Sequence, residues 1–194
     1  MQSTDQTPAL SPSQWLKIYY FVRALVSIAW IAAAIAVGKS GAPIEAILII
    51  GYPAWDALAN YLDAQKSGGL WSNPTQALNL AISTITGIAV AIALGFCMNA
   101  VIIVFGVWAI LSGVLQLATA VRRWKLAGAQ WLMIVSGVQS ALAGAFFFKM
   151  ALGMELVSVV TIAPYAAFGA FYFLVSAIWL TVKDAGQRSI KATG

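Results

Sequence analysis

Six long apolar runs divide this chain of 194 residues, and the segments between them are too short to fold in water on their own. The runs cover roughly 15–37, 43–63, 75–95, 99–121, 129–149 and 157–182. Each has about the 20 residues needed to cross a hydrocarbon layer of about 30 Å at about 1.5 Å per residue. A helix at a water boundary alternates an apolar and a polar face, whereas these runs are apolar nearly all round. They also lack the period-two alternation of membrane barrel strands. Composition agrees: 61% of the residues are hydrophobic and 9% charged, against roughly 25% charged in a soluble domain. The sequence predicts an all-α polytopic membrane protein, a bundle of six transmembrane helices built as three helical hairpins. A polar cytoplasmic tail is expected over 1–12, the six-helix transmembrane domain over 13–183, and a second polar cytoplasmic tail over 184–194.

The breaks carry turn chemistry. Gly38 to Pro43 separates the first two runs, and Lys66 to Pro74 the next two, with Pro74 suited to a helix start. The third break, Gly95 to Asn99, is tight; Gly95 is expected as a C-terminal cap and Asn99 as an N-cap. Arg122 to Lys125 forms the fourth and Lys149 to Glu155 the fifth. Placing both termini on one side collects Lys17, Lys66, Arg122, Arg123, Lys125, Lys183, Arg188 and Lys191 there, and leaves Lys39 and Lys149 opposite. Basic residues favour the cytoplasmic face, so both termini are expected in the cytoplasm of an inner membrane. Trp15, Tyr19, Tyr61, Trp71, Trp124, Trp131 and Trp179 fall near the same boundary and read as an aromatic belt. Residues 1–12 lack the basic start and cleavage pattern of a secretory signal, so the first run is expected to stay as a signal anchor.

The chain has no histidine and one cysteine, Cys97. That removes the usual proton shuttle, histidine-based nucleophilic triads, intrachain disulfides and multi-thiolate metal sites. No paired carboxylates have a helical spacing suited to acid–base work within the membrane; Asp56 and Asp63 share a face, but Asp63 is expected at the water boundary. The glycines near 38–41 and at 68–69 join helix to helix, which is the wrong setting for a phosphate loop. The reading is no enzyme, no cofactor and no metal. A net charge of +5 lies mostly at the ends of the runs, where headgroups account for it. Nucleic acid is therefore not an expected partner. Membrane lipids are, together with a second copy of the chain or another membrane protein.

The even-numbered runs resemble one another. Gly51, Gly106 and Gly169 each follow an aliphatic or aromatic residue and precede about four turns of apolar helix that end on a basic residue. Seven residues on, Gly113 and Ser176 return a small side chain to the same helix face, where close helix contact is possible; Leu58 weakens the match in the second run. Chance likeness among apolar helices is the competing explanation. The stretch VFGVWAILSGVLQLATAVR at 104–122, followed by WLMIVSGVQS at 131–140, resembles the HdeD-like acid-resistance membrane proteins. The resemblance is clearest over 99–183 and thin over 1–70, and YPAWDALANYLD at 52–63 departs from the pattern. It implies a bacterial inner-membrane protein of repeated helix pairs, non-enzymatic and tied to acid or envelope stress. It carries no catalytic residues across.

Arg23 and Asp56 are the charges deepest inside the runs. Both stand about 11–12 Å below the cytoplasmic boundary, on adjacent antiparallel helices. An unpaired charge at mid-bilayer costs about 2.5–3.5 kcal/mol on insertion scales, so an Arg23–Asp56 ion pair is expected. Three readings stay open: a clamp fixing helix register; Arg23 snorkelling while Asp56 faces a watery crevice; or an ion-linked cavity of a small transporter or channel. Asn60, Asn79, Gln116 and Gln139 lie at similar depth, with Ser83, Thr119 and Ser140 near them. They read either as interhelical hydrogen-bond partners or, with Arg23 and Asp56, as the lining of a cytoplasm-facing polar pocket. Ser136–Ser140–Gly144 and Ala32–Ala36–Ser40 read as packing ladders. Pro53 and Pro164 are expected to kink their helices, and Pro53 to free a carbonyl near Asp56.

Overall fold

The computed structural model describes residues 12–38, 42–123, 130–153 and 156–193. Segment 1–11, Lys39, Ser40, Trp124, Lys125 and Glu155 lie outside these. So do the side chains of Thr119, Arg122, Arg123, Trp131, Arg188 and Lys191. The described residues form six long helices, α1 (Pro12–Val37), α2 (Ala42–Lys66), α3 (Pro74–Ala93), α4 (Met98–Arg123), α5 (Gln130–Leu152) and α6 (Ala163–Thr193). Two 3₁₀ turns, Leu70–Ser72 and Val159–Ile162, precede α3 and α6. There is no strand among the described residues.

Helix starts and stops follow the local chemistry, with three corrections. Pro74 opens α3, where its missing N–H leaves nothing unsatisfied. Gly68 and Gly69 hold positive φ (99° and 90°), which lets the chain reverse within a few residues of α2. Gly95 lies in the α3–α4 turn and is not among the glycines with positive φ; α3 closes on Leu94 in a right-handed conformation instead. Asn99 is not an N-cap: it lies inside α4, and its Nδ2 donates to the Ala151 carbonyl at the end of α5 (2.7 Å). Pro164 falls in the first turn of α6, after the 3₁₀ turn, rather than within the helix, so its missing N–H costs no hydrogen bond inside α6. Ser158 and Thr161 form a capping box around that 3₁₀ turn. The Val159 N–H donates to Glu45 of α2.

Each helix packs against its neighbours in sequence, and α6 packs extensively against α1, which closes a ring. The broadest interface is α4 with α5, followed by α1 with α6 and α2 with α3. The expected hairpin partners α1–α2, α3–α4 and α5–α6 share less surface, α5–α6 least of the three. The pairing is thus offset by one helix from that expectation. The physical reason is visible at the α4–α5 seam. A Cβ on Gly113 would stand 2.5 Å from the Gly137 carbonyl, and one on Gly144 would stand 2.5 Å from the Gly106 carbonyl. Two glycine pairs spaced by seven residues on both helices let the backbones meet. The other repeat glycines do different work: Gly51 touches nothing within 4 Å, and Gly169 faces Tyr52.

The outside of the ring is apolar on every helix. Leu25, Ile47, Ile85, Val114, Leu142 and Val182 are all exposed. Among the described residues, five helices are long and apolar enough to cross a membrane by length and composition, and α2 is not one of them. Its inward face explains this: α2 carries Asp56, Asn60 and Asp63 toward the ring interior while Ile44, Ile47 and Leu58 face out. Such a body suits lipid as its solvent and is a multi-pass membrane protein. On α1 the packed face is Ala24, Ser27 and Ala34, all buried, whereas Ala32 and Ala36 of the expected ladder are exposed. The start of α1 and the far part of α6 meet through a Lys17–Asp184 ion pair (2.8 Å), so both lie at one end of the bundle. Residues 184–193, expected as tail, continue α6 as helix.

Candidate functional site

Arg23 of α1 and Asp56 of α2 form an ion pair with little side-chain exposure, 12% and 19%. Asp56 Oδ1 takes the guanidinium; Oδ2 accepts from Ser83 Oγ (2.7 Å) and from Asn60 Nδ2 (3.1 Å). Asn60 reaches it because it stands one turn further along the same helix face. Ser83 Oγ in turn accepts from Trp108 Nε1 of α4 (3.2 Å), so one carboxylate ties α1, α2, α3 and α4 together. Arg23 also donates to the Tyr19 hydroxyl (2.9 Å), and its guanidinium carbon lies 4.3 Å from the Phe173 ring centroid of α6. Both oxygens of Asp56 are engaged by three donors, one of them cationic. It therefore behaves as a fixed counter-ion within the wall.

A second carboxylate lies nearer the end of the helices. Asp63 was expected at the water boundary, yet it is buried, at 7% exposure. The cause is the turn chemistry of its neighbours. Trp15, in the first turns of α1, donates Nε1 to Oδ1 (3.2 Å), and Gln76, in the first turn of α3, donates Nε2 to Oδ2 (3.2 Å). Trp15 thus points inward, as does Tyr19, and neither joins an interfacial belt. Tyr61, Trp71 and Trp179 are exposed on the outer surface as a belt requires.

Between the six helices lies a cavity of about 410 Å³, within the range of about 300–1,000 Å³ common for small-molecule sites. Arg23, Asp56, Asn60, Asn79, Gln116 and Gln139 all line it. Its walls come from one half of each helix, residues 19–27, 52–63, 75–79, 108–116, 136–143 and 165–176. The other half of the bundle is filled: Trp30, Ile49, Val90, Ile102, Phe105 and Phe147 belong to one buried apolar cluster. The cavity is therefore a vestibule closed toward the α3–α4 turn and lined by polar groups toward the end that holds the start of α1. Trp108 and Tyr165 form its floor, in edge-to-face contact (5.9 Å between centroids).

Further wall groups are held by cross-helix hydrogen bonds. Tyr172 of α6 donates to Gln139 Oε1 (2.7 Å), Ser136 donates to Gln116 Oε1 (3.3 Å), and Ser140 donates to the Ala109 carbonyl (2.9 Å). Pro53, fully buried, packs beside Gly87 of α3 just before Asp56. Sequence reasoning missed the aromatic lining, of which Tyr52, Trp55, Trp108, Tyr165 and Tyr172 are parts. A signal for it existed on α6, where Tyr165, Gly169, Tyr172 and Ser176 repeat at helical spacing within an apolar run. Among the described residues no three His, Cys, Asp or Glu side chains converge as a metal site requires. The arrangement offers hydrogen bonds, ring faces and charge to a guest.

A family model described as a short repeat of unknown function, DUF308, matches residues 81–149. The match covers part of α3, all of α4 and most of α5, the segment that contains the glycine seam. Searches of curated proteins and of solved structures return no match.

Proposed function

We propose that this chain is a non-enzymatic bacterial inner-membrane protein that binds a small solute in the central vestibule, as a transporter does in one of its states. In this reading all six helices span the bilayer and both termini face the cytoplasm. α2 spans with the others because its polar side chains face the vestibule and its aliphatic ones face lipid. The observation that carries the reading is the vestibule itself, lined by polar and aromatic side chains from all six helices in a bundle whose exterior is apolar. Ionisable side chains within spanning helices face the bundle interior or a water-filled cavity.

A second reading has a specific observation behind it. Asp56 is saturated by Arg23, Asn60 and Ser83, which is how a register clamp would look. The two readings are compatible: the pair holds the wall, and the space beside it receives the guest. A stress-protective role rests on the HdeD-like stretches at 104–122 and 131–140; HdeD-family proteins contain the repeat matched over 81–149. Under that role the guest or partner is one that accumulates when the envelope is challenged.

The test is access. In a Cys97→Ser background, Gln116→Cys places a thiol on the vestibule wall. A charged, membrane-impermeant thiol reagent should modify it in inverted vesicles and spare it in spheroplasts. No modification from either side would mean a dry, purely structural interior. Equal modification from both sides would mean an open pore.

A further inference from the structure

The charge and ring content of the vestibule discriminate among guests, given the solute-binding reading above. Three ionisable groups of fixed sign line it: Arg23, Asp56 and Asp63. Arg23 and Asp56 cancel. Arg23 is further committed to the Tyr19 hydroxyl and to the Phe173 ring face. An anionic guest would have to break that ion pair to find a cation. Asp63 is different. Its two hydrogen bonds come from neutral donors, Trp15 and Gln76. Among the described residues it takes part in no ion pair. Lys66, one turn further on, is exposed and stands over the Trp15 ring (5.6 Å from the centroid). The described lining therefore carries one uncompensated negative charge in a site of low dielectric, where it acts with less screening than at a surface.

The rings point the same way. Nine of the 25 lining residues are Phe, Tyr or Trp, three times the 12% aromatic content of the chain. Ring faces are negative and attract cations within about 6 Å, most strongly when the cation is poorly hydrated. Among the described residues two side-chain donors are buried without an acceptor, Arg23 Nε and Trp55 Nε1. Each exposes less than 1 Å², so neither is placed to donate to an acceptor on a guest in this arrangement.

We infer that the vestibule selects a small organic cation, an amine or quaternary ammonium with an apolar or aromatic body, with Asp63 as its counter-ion. The body stacks among rings such as Tyr172 and Trp108, and the charged head lies toward Asp63 at the open end.

The experiment uses the full chain in a nonionic detergent and three probes of similar size. Benzyltrimethylammonium, benzyl alcohol and phenylacetate are titrated while tryptophan emission is followed. The cation should bind about tenfold more tightly than the neutral or anionic probe, given a cation–π and charge advantage of that order. Asp63→Asn should remove about that factor for the cation and leave benzyl alcohol unchanged. Equal affinities for all three, or preference for phenylacetate, would overturn the cationic guest while leaving the vestibule as a binding site. Failure of all three to bind folded protein would overturn the binding reading as well. Should Asp63→Asn not fold, the comparison of probes on the unmodified chain still decides.

Discussion

At the scale of single residues, the Arg23–Asp56 cluster is an ion pair whose separate halves are worth less than nothing. Removing Asp56 alone leaves a guanidinium buried beside Phe173 without its counter-ion. Breaking one side of a buried pair costs about 3–5 kcal/mol. Replacing both partners with apolar groups of similar size is often close to neutral. Asp56→Ala is therefore expected to cut the yield of monodisperse protein severely. Arg23→Leu with Asp56→Leu should recover more than half of the loss in thermal midpoint, read by tryptophan emission in detergent. Equal damage from the single and double changes would mean the pair is not energetically coupled. Ser83→Ala tests the next link. It removes a donor to Asp56 and the acceptor for Trp108 Nε1, and should cost about 1–3 kcal/mol, because the indole N–H is left unsatisfied.

At the scale of elements, the α4–α5 seam is where backbone meets backbone. Gly137→Leu would drive a side chain into Gly113 and Leu117, whose atoms stand 2.9 Å from the position of a Cβ. No small shift accommodates that, so the pair should part and folded yield collapse. Gly51→Ala is the control. It has open space around it and lies within α2, so it should hold or raise the midpoint, since Ala suits a helix interior by about 0.5–1 kcal/mol over Gly. Indistinguishable outcomes for the two changes would refute the seam as a close-packed contact. The helices themselves were legible: bilayer-length runs ending in Gly, Pro and basic residues placed the first five within about three residues of where they lie, whereas α6 starts at Ala163 and runs to Thr193, well past the expected end at 182. Their partners were not. Repeat glycines suggested equivalent duties for Gly51, Gly106 and Gly169, yet what a glycine does depends on the helix opposite it. It is α5 that presents the matching pair Gly137 and Gly144 to α4.

At the scale of the whole molecule, aliphatic side chains face outward on every helix, while Arg, Asp, Asn and Gln line one half of the interior and an apolar cluster fills the other. Depth alone revealed much of that interior, because residues at equal depth on neighbouring spans can meet; it brought Arg23 to Asp56 and placed Asn60, Asn79, Gln116 and Gln139 near them. Depth misled at Asp63. Its burial depends on Trp15 and Gln76 swinging in from helix ends, which no one-dimensional scale records. The proposed orientation of the bundle in the membrane has a direct check in its own cysteine. Cys97 is exposed in the α3–α4 turn, three helices away from the start of α1. With each helix crossing once, that turn faces opposite the termini, while Ser72, exposed between α2 and α3, faces their side. In the proposed orientation, the excess of basic residues on that side puts the termini in the cytoplasm. An impermeant maleimide should then label Cys97 in spheroplasts. Ser72→Cys in a Cys97→Ser background should label in inverted vesicles alone. Reversal of both results would flip the bundle without disturbing its fold. Labelling of both sites from one side would mean that α3 does not cross, and the six-span body would fail.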